Sequence, residues 1–466
     1  MIIYKMEGIY MKRKYLAVAL AAVMVGTLFV GCGKKDGDSS ESGKKIQIKY
    51  INWNLATEEE NNLERRMIEE YEKRNPNIDI VIADYIDTSD YANSLTTAAA
   101  GGKLPDVFAI QNIPSALSNE WLMDISEFTT DDDDWNKISK PVIESTKYGT
   151  GTYALPSGQF LAGYFVNKDL FESENVKQPE IGYTFEELEK AIKSINQPSK
   201  NIIGLGGELQ MLEWYPALTN DNLGWYTFDG EKYNINDPLF KEGILKANEL
   251  TKNGYVYDSL PQEQKDKFSG TSEDEVWLQG QIAVRYDGTW SGPNYNNANF
   301  EYEFIGLPNS KNVIINDYMG ISKTSEHAQE AYDFAKWMSF SKEGTLARIE
   351  IGTENDLSWG SLPILNDEEV NEKYFEWNNI NGVLEAYENL DNSLVEGVKV
   401  IPGYLNSRWE APTGIKVGDK ENANISDVIF DMVRGTTNVE DYLTQINDLA
   451  NKNYIEANEA VKAITE

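Results

Sequence analysis

The chain has 466 residues, with 42 Lys and Arg against 76 Asp and Glu, one histidine and one cysteine. A formal charge of −34 repels phosphate backbones, so no nucleic-acid partner is expected, and an anionic ligand would need a local basic pocket. Disulfides and zinc sites built from His and Cys are out of reach with one residue of each kind, and no Ser-His-Asp triad is expected because the single histidine, His327, opens a helix where an exposed polar residue is expected.

The N-terminus sets the compartment. Lys12, Arg13 and Lys14 precede an uncharged stretch from Tyr15 to Val30, and Gly31-Cys32 follows at once, which is the order of an export signal. Sixteen residues span about 24 Å as a helix, short of a hydrocarbon core of about 30 Å, so cleavage is favoured over a membrane anchor. Met11 begins a better-formed signal than Met1. Leu28-Phe29-Val30-Gly31-Cys32 resembles a bacterial lipobox, which implies a lipid on Cys32 and a mature chain starting there. Residues 1–31 are then the signal peptide and 32–45, polar and rich in Gly, Ser and Lys, a flexible tether. The mature chain keeps 38 basic and 75 acidic residues. About 420 residues follow the tether, too many for one core and comfortable for two domains.

After the tether, Ile46 to Ile51 alternates as a strand and ends at Asn52-Trp53-Asn54. Glu58 to Arg74 places Leu63, Met67, Ile68 and Tyr71 at helical spacing, and Asn75-Pro76-Asn77 stops it. A strand over Ile78 to Ala83, a helix over Tyr91 to Ala100 and a strand over Asp106 to Ile110 complete a β-α-β-α-β series, which predicts a parallel sheet covered by helices. Ligands bind beyond the carboxyl ends of such strands, here Trp53-Asn54 and Gln111-Asn112. The alternation resumes with a strand at Tyr164-Phe165-Val166 and a helix from Thr184 to Ile195, opened by a capping box of Thr184 and Glu187. Two α/β lobes are the expected architecture, and the absence of a short repeat argues against a solenoid or propeller.

Several segments carry a family resemblance: Tyr71 to Pro76, Ala99 to Val107, Tyr164 to Phe171, Gly280 to Trp290, and Gly320 to Lys323 leading into a helix around Ala331 to Met338. In their order and spacing the chain resembles the extracellular solute-binding proteins of carbohydrate ABC importers, in layout the maltodextrin-binding type, from about Ile46 to the C-terminus. The resemblance implies a periplasmic-binding-protein-like α/β fold of two lobes, each a mainly parallel sheet flanked by helices, joined by a multi-strand hinge. It assigns 46–155 and 308–350 to the N-lobe and 156–307 and 351–466 to the C-lobe. Hinge crossings are expected near Leu155-Pro156, Leu307-Pro308 and Ile351-Gly352, with proline fixing φ at two of them. It further implies a monomer that captures a sugar and presents it to membrane permease subunits from the outer face of the cell membrane, the Lys/Asn/Asp/Glu-rich composition favouring a Gram-positive surface. No cofactor or metal is expected.

Sugar recognition combines aromatic faces for the C–H side of the ring with planar amides and carboxylates for the hydroxyls. Trp53, Asn54, Gln111 and Asn112 end N-lobe strands, and Trp290 follows the Asp287-Gly288 turn. By the resemblance, Trp290 and, more loosely, Trp409 match positions that stack on sugar, and Glu208, Gln210 and Trp214 fall in a segment that supplies C-lobe contacts. Trp225 and Trp359 complete the candidate set. Trp121, Trp135, Trp277 and Trp337 read as core residues. His327 opens a helix, where an exposed polar residue is expected, and the run Asp131 to Asp134 reads as a solvated loop without the spacing of an EF-hand. No phosphate-binding glycine motif follows a strand. A binding protein without catalysis is the leading reading. The alternatives are a secreted polysaccharide-degrading enzyme, whose two carboxylates an acidic chain supplies without discrimination, and a surface sugar sensor or adhesin.

Overall fold

Apolar alternation puts the first three strands where the sequence predicts them. The computed structural model describes residues 45–55, 57, 62–207 and 210–466. Cys32, with the signal and tether, and Glu208 lie outside the described residues. Strand β1 (Ile46–Ile51) pairs in parallel with β2 (Ile78–Ile82) and β3 (Val107–Ile110). The helix Leu63–Arg74 between β1 and β2 buries the forecast Leu63, Met67, Ile68 and Tyr71 against the sheet, and Asn62 caps it by accepting from Glu64 N and Arg65 N. The second helix, Tyr91–Ala100, has the predicted bounds.

Six further strands, β4 (Leu155–Asn167), β5 (Ile203–Leu205), β6 (Ile282–Gly288), β7 (Tyr302–Gly306), β8 (Val313–Ile321) and β9 (Leu394–Val395), join them in one nine-stranded sheet. Its order is β2-β1-β3-β8-β4-β6-β5, with β9 beside β8 and β7 beside β4. The fold is two-lobed, and β4 shows how one sheet serves both lobes. Its first half, Leu155 to Ala162, pairs with β8, and its second half, from Ala162, pairs with β6 and β7. Thirteen residues at about 3.3 Å each make a strand long enough to leave one lobe and enter the other. It is buried on both faces: Leu161 and Phe165 join one apolar cluster, Ala162, Tyr164 and Val166 another. Parallel pairing holds for β1, β2 and β3, for β5 with β6 and for β8 with β9, whereas the crossing strand β4 meets β6, β7 and β8 antiparallel.

The hinge expectations divide. Pro156 sits at the start of β4 opposite Tyr318, beside a register shift between Asp317 and Tyr318, where a missing N–H does least harm to the ladder. Pro308 opens a tight turn before β8. Ile351 and Gly352, in contrast, lie inside the helix Lys342–Asn355, which ends only at Asp356 with φ of 53°. Gly352 serves close packing there: a Cβ on it would come within 2.5 Å of the Trp377 ring. The chain after this helix also does not stay with the C-lobe. Asp367 bonds Lys137 at 2.7 Å and pairs with Lys342, and Leu365 bridges to Ile138. The last helix, Leu443–Thr465, places Leu443, Ile446, Ala450 and Tyr454 in the C-lobe cluster and Val461 in the cluster that contains the N-lobe core.

Trp135, Trp277 and Trp337 are buried core residues, as expected, and Trp121 packs against the same core half-buried. The run Asp131 to Asp134 is not wholly solvated. Asp132 is buried because Lys336 at 2.7 Å and the Tyr332 hydroxyl at 2.9 Å compensate its carboxylate and the backbone N–H groups of Asp134 and Trp135 donate to it.

Candidate ligand-binding cleft

A cavity of about 410 Å³ opens beside the crossing strands β4 and β8. Four parts of the chain line it: Asn54, Asn62 and Glu64 after β1, Ser157 and Phe160 on β4, Asp317 on β8, and the segment Leu357 to Ser361 with Trp359. Each part is held from behind. Asn52 is buried, accepts from Asn54 N at 3.0 Å and donates to the Tyr50 hydroxyl at 3.2 Å, which fixes the turn that presents Asn54. Asn62 donates to Asn54 O at 3.0 Å. Glu64 is ion-paired with Arg348, which is buried, donates to Met338 O at 2.8 Å and lies 5.3 Å from the centre of the Trp359 ring. Trp359 itself packs edge-on against Tyr374. Asp317 accepts from Lys399 Nζ at 2.6 Å, and Ser361 Oγ accepts from Gln159 N at 2.9 Å, tying this segment to β4.

Phe160 carries the cavity wall toward Trp290, meeting it edge-on at 5.9 Å. Trp290 is 40% exposed, a large exposure for an indole. Its placement depends on the turn before it. A Cβ on Gly288 would lie 2.1 Å from the Trp290 ring, so only glycine lets the ring rest there. Asp287 locks the turn, accepting from Ser291 Oγ at 2.8 Å and from the Tyr295 hydroxyl at 2.6 Å, with Arg285 3.3 Å away.

Of the residues singled out from sequence, Asn54 and Trp359 share the cavity, and Trp290 joins it through Phe160. Trp53 is half-buried against Tyr91, and Gln111 is exposed at the end of β3. Asn112 is committed elsewhere: it accepts from Ser115 N at 2.9 Å as a helix cap and donates to Val398 O at 2.8 Å. Gln210 is half-buried with an Oε1 that finds no partner among the described residues. Trp214 is enclosed in the C-lobe core beside Tyr164 and Phe185, and Trp225 is buried with its indole N–H donated to the Tyr404 hydroxyl at 2.9 Å. Both are placed as packing residues. Trp409 is half-buried, with the Arg408 guanidinium 4.7 Å from its ring. Arg408 is itself buried and pairs with Glu213, whose carboxyl burial pushes up and Arg408 pulls back.

Glu64, Ser157, Phe160 and Asp317 did not stand out in the sequence. Asp317 had a readable signal, because Asn316-Asp317 interrupts the apolar run of β8 at its centre. Beside it Lys399 also faces Glu396, whose carboxyl burial pushes up to about 7 while Lys399 works the other way.

A cleft at the crossing strands of a two-lobed α/β fold, lined by aromatic rings and fixed polar groups, defines a small-molecule binding protein. Residues 56–344 match the family described as bacterial extracellular solute-binding protein, and the chain belongs to that family. It is similar to an uncharacterized ABC transporter extracellular-binding protein of Pyrococcus horikoshii, 25% identical over 322 residues that cover 62% of this chain and 67% of the relative. A multiple sugar-binding protein of Streptococcus mutans is 22% identical over 347 residues, covering 68% and 76%. Among solved structures, an ABC substrate-binding protein of Listeria monocytogenes in complex with cycloalternan matches 88% of this chain and 98% of its own, with a TM-score of 0.65 at 22% identity. The family is described as extracellular.

Proposed function

We propose that the protein captures a sugar or oligosaccharide between its lobes, outside the cytoplasm, and hands it to the permease of an ABC importer without chemical change. One observation carries this reading: a single cavity beside the crossing strands brings together the rings of Phe160 and Trp359 with the side chains of Asn54, Ser157 and Asp317. Aromatic faces cover the apolar side of a pyranose, and amide, hydroxyl and carboxylate groups meet its hydroxyls. The names of the Streptococcus and Listeria relatives support the same ligand class. A lipid on Cys32 holds the protein at the outer face of the membrane, where it works as a monomer.

Thermal-shift screening against a sugar panel tests the reading, since a ligand that binds the folded state raises its stability by RT ln(1 + [L]/Kd). A cognate sugar should raise Tm and be recovered intact after prolonged incubation. Cleavage of the sugar would replace the binding reading with that of an enzyme. Mass spectrometry of the native protein should show a lipidated Cys32 at the N-terminus, and a free thiol there would remove the anchor.

A further inference from the structure

The charge around the cavity is arranged in a way that the binding reading does not require. Among the described lining residues two are charged, Glu64 and Asp317. Each faces its own basic residue from behind the wall: Glu64 is paired with Arg348, which is 3% exposed, and Asp317 with Lys399, which is 22% exposed. Neither cation is itself among the lining residues. The cavity therefore presents carboxylate oxygens, the strongest neutral-hydroxyl acceptors a side chain offers, while the local charge sums to zero. In a chain with a formal charge of −34, this balance is not a by-product of composition.

Resting on the sugar reading above, we propose that the cleft selects an uncharged sugar and rejects uronate-bearing and amino-sugar oligomers, with Lys399 and Arg348 acting as positioning residues that cancel the charge of Asp317 and Glu64. An anionic sugar carboxylate would meet two carboxylates whose cations are already taken, and nothing in the described wall would compensate it. A cationic amino sugar would compete with Lys399 and Arg348 for carboxylates already satisfied. A neutral sugar donates hydroxyl protons to the oxygen lone pairs that the ion pairs leave free. Glu396, beside Lys399, is pushed up to about 7 by burial and so carries only part of a charge near neutral pH.

The test uses the full-length mature protein and three ligand sets of matched length: neutral gluco-, galacto-, xylo- and fructo-oligosaccharides, oligogalacturonides with aldouronic acids, and chitosan oligomers. Tm and calorimetric Kd should respond to a member of the neutral set alone. That Kd should stay within about twofold between low and high salt, because no net charge is being paired. Replacing Lys399 by Met should weaken the neutral sugar about tenfold and admit chitosan oligomers with an affinity that falls as salt rises, while Lys399→Arg keeps the original preference. Should Lys399→Met not fold, the salt dependence and the three-set preference of the unaltered protein decide by themselves. Binding of a uronate or amino-sugar set in place of the neutral one overturns the charge-balance inference and leaves the sugar reading standing. Failure of every sugar set overturns both, and binding of amino acids or peptides in the same screen would then show which reading replaces them.

Discussion

At the scale of single residues, exposure is what keeps Trp290 in the proposed site while other indoles leave it. An indole left 40% in solvent adds little to folding, and Trp290→Ala should therefore leave the ligand-free Tm nearly unchanged while weakening sugar binding by about 1–3 kcal/mol. A melting curve reads the first quantity and calorimetry with the cognate sugar the second. A large fall in Tm would return Trp290 to the core. Gly288→Ala makes the complementary prediction, since a Cβ there occupies the space of the Trp290 ring: affinity should fall almost as far as in Trp290→Ala although the indole is still present. Trp214 and Trp225 teach the converse. Their candidacy came from residue type and neighbourhood in the chain, and the fold buries both. Amino-acid type says that an indole suits a sugar, but exposure is a property of the three-dimensional neighbourhood.

At the scale of elements, the helix Glu368–Trp377 shows how a short segment is fastened to the far side of the molecule. Asp367 caps it, accepting from Glu369 N and Val370 N, and also bonds Lys137 and Lys342. Burial works to raise the Asp367 carboxyl, but the bonds from Lys137 and Lys342 outweigh it and bring it down to about 2. A carboxyl lowered by folding contributes stability that is present above its unfolded value near 4 and is lost as pH falls toward 2. Asp367→Asn keeps the cap but loses the ion pairs, so it should be less stable than the parent at pH 7, by on the order of 1 kcal/mol after solvent screening, with the two proteins converging near pH 2. Denaturant melts at a series of pH values measure this, and a gap that stays constant down to pH 2 would show that the ion pairs are not its source. The capping box of Thr184 and Glu187 was legible in sequence because its partners lie three residues apart. The Asp367 contacts were not, because Lys137 is 230 residues away.

At the scale of the whole molecule, the strands β4 and β8 and the segment around Val398 to Val400 carry the chain past the cleft, and the helix Leu443–Thr465 touches both apolar clusters. We expect the lobes to close on the ligand by rotation about β4 and β8 near Pro156 and Pro308, since Trp290, beyond Phe160 from the cavity, gains contact with a ligand held there only when the two sides approach. Small-angle scattering should show a smaller radius of gyration with saturating sugar. An unchanged radius alongside confirmed binding would place the site within one lobe. The long last helix sets a limit on that motion: its Val461 end and its Leu443 end must stay packed while the lobes turn, which favours a modest rotation over a wide opening.

The sequence by itself determined the parallel β1-β2-β3 unit and the helix faces, because each depends on residue type or local spacing. The tertiary structure decided the rest. It ran the helix Lys342–Asn355 through the expected crossing at Ile351-Gly352, because Gly352 is needed for contact with Trp377 and not for a bend. It brought Asn54, Phe160, Asp317 and Trp359 to one wall from four distant parts of the chain, and it set Arg348 and Lys399 behind Glu64 and Asp317. Hydrophobic periodicity reports which face of an element turns inward. It carries no information about which other element lies opposite, and a cavity wall assembled from distant segments consists of that missing information.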